Sequence, residues 1–134
     1  GMLLLARQRA GNLNSGLTYF PGGFIDPRDV SAAGVVEIEA SVRRELEEET
    51  GLGPHDLRRA PGILLTRTGA QVSIGIELHT SLDAAALGAR VSAFIAADAN
   101  SELEEAVFIR SRDDLARFAM PDYARLIALG LLET

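Results

Sequence analysis

Apolar residues recur along this chain with two different periods. Between Val36 and Thr50, Ile38, Val42 and Leu46 return every four residues, which stacks them on one face of a helix. A helix is therefore predicted over 36–50. Gly51 follows where a C-terminal cap belongs, because a residue without Cβ accepts the left-handed conformation. Between Val72 and His79 the period drops to two. Val72, Ile74, Ile76 and Leu78 alternate with Ser73, Gly75, Glu77 and His79, as in a strand with one wet face. Shorter apolar runs at 3–6, 17–20, 62–66, 91–96 and 106–109 read as further strands. Gly11 to Ser15 reads as a loop. Pro21-Gly22-Gly23 stops the second run, and Asp26-Pro27-Arg28-Asp29 is a turn that Ser31-Ala32-Ala33-Gly34 prolongs. Residues 82–89 read as loop. Ser111-Arg112-Asp113-Asp114 opens a short helix. Pro121-Asp122 opens the last one, with Tyr123, Leu126, Ile127 and Leu131 on its apolar side. The order is strands, helix, strands, helices. That is mixed α/β, of the α+β kind, rather than regular βαβ alternation.

Composition narrows the field. A length of 134 residues fits one domain spanning 1–134, and 47% hydrophobic with 24% charged residues is ordinary for a globular protein. The net charge of −6 disfavours a nucleic-acid polymer as partner, since that needs a basic stripe. It leaves a nucleotide substrate open, because a bound cation inverts the local field. With no cysteine, disulfides, thiolate nucleophiles and cysteine zinc sites are excluded. No apolar run approaches the roughly 18 residues that span a membrane. The opening Met2-Leu3-Leu4-Leu5-Ala6-Arg7 is too short for a signal peptide, so the expected location is cytoplasmic. Gly1 before Met2 reads as a remnant of tag removal and is set aside.

The chemistry is concentrated in Arg44-Glu45-Leu46-Glu47-Glu48-Glu49-Thr50-Gly51-Leu52. Glu45, Glu48 and Glu49 stand at i, i+3 and i+4, which makes them neighbours on a helix. Three adjacent carboxylates repel one another, and a hard divalent cation reverses that sign. Alone, such a run is most simply a solvated face. Arg44, Gly51 and the upstream Pro21-Gly22-Gly23 turn the balance towards a metal site.

Gly22-Gly23 followed by Arg44-Glu45-Leu46-x-Glu48-Glu49-x-Gly51-Leu52 resembles the Nudix box. The family pattern is a glycine, five residues, a glutamate, seven residues, then Arg-Glu-apolar-x-Glu-Glu-x-Gly-apolar. The second half matches at every specified position. In the first half, five residues on from Gly23 comes Asp29 instead of glutamate, and fourteen residues separate Asp29 from Arg44. A seven-residue insertion before the helix, with Asp29 standing in for the glutamate, accounts for both departures. Glu37 is the alternative, one residue out of register. The runs at Leu3 to Arg7 and Glu102 to Ile109 also resemble family strands, whereas the strand usually found before Leu3 has no room here.

The resemblance implies an α/β/α sandwich with a mixed sheet. It also implies hydrolysis of a diphosphate in a nucleoside diphosphate linked to another moiety, X, with magnesium or manganese as cofactor. Glu45, Glu48 and Glu49 would hold the metal, with the Gly23 carbonyl and Glu105 (Glu102 as second choice) as further ligands. Arg44 would orient the carboxylates, and Arg44, Glu45 and Glu48 form the implied catalytic group. Gly16-x-x-x-Phe20-Pro21-Gly22-Gly23 is similar to the segment before the box in coenzyme A diphosphatases, although Asn12 stands where that motif has an arginine. ADP-ribose, dinucleotides and nucleoside triphosphates stay open as substrates. Tyr19 and Phe20 read as packing residues, with base stacking as the alternative. A non-catalytic ligand-binding domain on the same fold is the rival reading. A sheet edge left open at the start of the chain would be covered by homodimerisation.

Overall fold

The computed structural model describes residues 1–11 and 15–133. Asn12, and with it most of the 11–15 loop, lies outside the described residues. The centre is a three-stranded sheet in the order β2-β1-β7, with β1 at Leu3–Gln8, β2 at Thr18–Tyr19 and β7 at Leu103–Ile109. β3 (Arg58–Arg59) pairs with β6 (Leu78–His79), and β4 (Leu64–Thr68) forms a hairpin with β5 (Gln71–Gly75). The helices are α1 (Ile38–Thr50), α2 (Ala84–Ala97), α3 (Arg112–Leu115) and α4 (Asp122–Leu132).

Helices cover both faces of the central sheet. On one face, Ala6 and Leu103 pack with Leu87, Val91 and Ile95 of α2, and Leu46 of α1 joins that cluster. On the other, Leu5, Val107 and Ile109 pack with Leu115 of α3 and Ala128 of α4. The class is α+β, as expected. Within it, the ladders between described strands all run antiparallel, so the parallel pairing of a mixed sheet is not among them. No helix of the described residues is long and apolar enough to cross a membrane.

The largest departure from the sequence reading is α2. The expected loop at 82–89 and strand at 91–96 are one helix. Its stretch is rich in alanine, the best helix former, and Asp83 caps it by accepting from the Ala86 N–H at 2.8 Å. Leu87, Val91 and Ile95 are the buried positions, a four-residue spacing that the β-branched residues disguised. Gly88 leaves room for the sheet, since a Cβ there would meet the Phe108 ring at a tight 3.2 Å. The long alternating strand at 72–79 is split in two, and Leu126, expected in the core, is 45% exposed while Ala124, Ile127 and Ala128 are buried.

Gly51 ends α1 as predicted, at φ +76°, with its N–H bonded to the Glu47 carbonyl at 2.9 Å. Space also requires glycine, because a Cβ would stand 2.5 Å from the Phe94 ring of α2. Gly51→Ala is expected to cost about 1–3 kcal/mol from backbone strain and steric displacement together, measured as the shift in a urea denaturation midpoint. An unchanged midpoint would contradict this packing.

Candidate active site

One face of α1 lines a cleft of about 1480 Å³. Ile38, Ser41, Val42, Glu45, Leu46 and Glu49 all contribute to it, so the apolar stripe and two box carboxylates share a surface. The cleft also takes in Gly22, Gly23 and Phe24. The α-carbon of Gly23 faces Glu45: a Cβ would lie 3.0–3.2 Å from its carboxylate. Only glycine lets the backbone come so close. Gly22 donates its N–H to Glu49 Oε2 at 3.1 Å. The glycine turn and the helix are thus joined through carboxylates at two points.

Arg44 is held from the preceding loop. Its Nη2 donates to Asp29 Oδ1 at 2.8 Å and lies 3.7 Å from Glu45 Oε1. The Asp29 carboxylate is fully buried and also accepts from the Asp26 N–H at 2.8 Å, and its acidity is increased first by that backbone bond, then by Arg44 and Ser41. Of the two candidates for the first box glutamate, Asp29 is the one that meets Arg44, and Glu37 precedes α1 on the surface. The seven residues between them close on themselves. Val30 and Val36 form an antiparallel bridge, Ser31 N–H meets the Val35 carbonyl at 2.8 Å, and Glu37 N–H meets the Asp29 carbonyl at 2.6 Å. Residues 30–36 leave and return at one point, and the seven residues 37–43 that remain before Arg44 match the family spacing.

A second, smaller cleft of about 180 Å³ gathers Glu45, Glu48, Glu49 and Glu102 with Asp98, Asn100 and Ser101. Glu105, the expected further ligand, stands elsewhere. β7 carries a bulge where Arg7 pairs with Glu105 but Gln8 pairs with Leu103. The bulge turns both Glu104 and Glu105 onto Arg7, at 3.0 and 3.1 Å. The acidic residue that faces the box is the second choice, Glu102, just before the strand. His55 and His79 are exposed.

Burial pushes the Glu49 carboxyl up to about 8; Glu45, Glu102 and Glu48 add to the rise, while the Gly22 hydrogen bond opposes it. Burial and the charge of Glu49 also raise the phenols of Tyr19 and Tyr123. Tyr19 donates its hydroxyl to Gln8 Oε1. All the donors at the small cleft are oxygens, the ligand type of a hard divalent cation, so the residues fit such an ion in kind. Among the described residues, however, no three acidic or histidine side chains meet in coordinating geometry. They share a cleft without converging on a point.

A family model described as NUDIX domain matches residues 1–128, and the chain belongs to that family. Membership supports a hydrolase of pyrophosphate bonds in general. Comparison with curated proteins and with solved structures gave no match.

Two expectations follow. Replacing residues 30–36 with a single glycine should leave the circular dichroism spectrum and thermal midpoint close to wild type, whereas Asp29→Ala should lower the midpoint markedly by stranding Arg44. Equal losses would show that the lobe is not a separate excursion. The second concerns pH. The Glu49 carboxyl titrates near 8 in the folded protein against a reference of 4.5, so the unfolded chain releases its proton first as pH rises. In chelator, Glu49→Gln should raise the thermal midpoint over wild type by a margin that is small at pH 5 and grows towards pH 8. A margin constant across that range would mean that the carboxyl is not buried as described.

Proposed function

We propose that the protein is a hydrolase of the diphosphate bond in a nucleoside diphosphate linked to another moiety, dependent on magnesium or manganese. The observation that carries this reading is that Glu45, Glu48, Glu49 and Glu102 line one small cleft, and that three of them, Glu45, Glu49 and Glu102, also line the larger cleft beside the Gly22–Gly23 turn. Carboxylate oxygens of Glu45, Glu48 and Glu49 would hold the metal, and Glu102 replaces Glu105 as the additional acidic ligand. Bound there, the cation would neutralise the diphosphate and acidify a water molecule.

The chain's own residues supply position. Asp29 holds Arg44, and Arg44 in turn steadies Glu45 through its charge. Gly23 lets the backbone of the turn lie against the Glu45 carboxylate because it has no side chain. Glu45 and Glu48 are the proposed catalytic carboxylates, either of which can accept the proton of the attacking water at a carboxylate oxygen. Cleavage breaks one phosphorus–oxygen bond of the anhydride, forms one to the water oxygen, and releases two phosphate-bearing products.

The test is product release from a panel of coenzyme A, ADP-ribose, NADH, diadenosine polyphosphates and nucleoside triphosphates, with each metal in turn. Glu48→Gln should lower turnover by about two orders of magnitude or more, the several kcal/mol that charge stabilisation contributes, and leave the thermal midpoint nearly unchanged. Turnover unaffected by the substitution would remove Glu48 from the mechanism. No turnover of any compound would favour the ligand-binding alternative.

A further inference from the structure

Three aromatic rings border the Gly22–Gly23 turn, and they differ sharply in freedom. Tyr19 is buried and spends its hydroxyl on Gln8. Phe20 packs against the clusters on both faces of the sheet. Neither can stack on a ligand without leaving the core. Phe24, by contrast, is 89% exposed, and Ile25 beside it is 53% exposed. A phenylalanine in that state forgoes the roughly 1.5–3 kcal/mol that burying its ring would contribute. Both side chains line the large cleft together with Glu45 and Glu49.

Position relates this ring to the proposed chemistry. The preceding residue, Gly23, lies so near the Glu45 carboxylate that an added Cβ would meet it at 3.0–3.2 Å, and successive α-carbons are about 3.8 Å apart. Phe24 therefore starts one residue away from a carboxylate that would hold the metal on which the diphosphate sits. The charged side chains of the cleft narrow what can lie there. Glu45, Glu49, Glu77, Asp83 and Glu102 are acidic side chains, against Arg110 as the basic one. Extra phosphates on the substrate find little to pair with, whereas an uncharged planar ring meets no electrostatic penalty.

We propose that Phe24, flanked by Ile25, is the platform on which the nucleobase of the diphosphate substrate stacks. The proposal rests on the hydrolase reading for its substrate and deepens it by assigning a base subsite. Stacking tolerates any base, since each presents a π-face.

The test separates binding from turnover. Affinities for α,β-methylene-ADP, which carries a base, and methylenediphosphonate, which has none, are measured by calorimetry with magnesium. The proteins are wild type, Phe24→Ala and Phe24→Trp. Phe24→Ala should weaken the nucleotide about tenfold or more, as loss of one stacked base does. Methylenediphosphonate should be almost unaffected, and Phe24→Trp should restore the nucleotide. Equal nucleotide affinity in wild type and Phe24→Ala overturns the proposal, as does an equal loss for both probes or a wild type that binds neither. A wild type that hydrolyses the panel but binds nucleotide regardless of Phe24 overturns the platform alone. One that binds through Phe24 but hydrolyses nothing overturns the hydrolase reading alone.

Discussion

Asp29 carries a carboxylate with no exposed surface, and a buried charge is tolerated only when it is paired and hydrogen-bonded. Arg44 and the Asp26 N–H meet that demand. Much of the site's geometry follows from this one requirement. The pair ties the turn after Gly23 to the middle of α1, so the glycines and the box carboxylates cannot drift apart. Its second consequence concerns the lobe at 30–36. Because Asp29 is fixed by Arg44 and its carbonyl by the Glu37 N–H, seven extra residues can bulge outwards without moving either end. An insertion that in sequence splits the box leaves it intact in space.

The carboxylates themselves work against stability. Glu48 and Glu49 lie in the last turn of α1, where the helix dipole favours cations, and no basic residue accompanies them there. Glu49 is moreover half-buried, with the Gly22 N–H donating to its carboxylate and three acidic neighbours. An arrangement made only for folding would place lysine or arginine at these positions. The proposed metal site accounts for that choice, since a bound cation would use the charge that the fold leaves uncompensated.

The sequence made some of this legible and hid the rest for identifiable reasons. The helix and its cap were readable because Ile38, Val42, Leu46 and Gly51 obey one period and one backbone rule. The choice between Asp29 and Glu37 could not be made from spacing, since it depends on which carboxylate is buried beside Arg44. Glu105 and Glu102 were separable only through the bulge, which changes the direction of side chains on β7 and which no local pattern announces. Phe24 escaped notice because an exposed and a buried phenylalanine look alike in a sequence. Exposure comes from tertiary packing, and here Tyr19 and Phe20 had already filled the core.

The misread segment at 84–97 matters most for the site. As a loop and a strand it would have no connection with the box. As α2 it brings Phe94 onto Gly51 and Arg90 onto Asp56, with a longer contact of 3.5 Å from Arg90 to the Gly51 carbonyl. The helix is thereby docked on the C-terminal end of α1, and the turn that follows it presents Asp98, Asn100 and Ser101 opposite the glutamates. The absence of a side chain at Gly51 thus does two jobs. It permits the left-handed cap, and it lets the Phe94 ring of α2, the helix that leads into the turn at Asp98, pack against it. A glycine that sequence reasoning assigns to helix termination alone is, in the fold, also the point where α2 packs closely on α1.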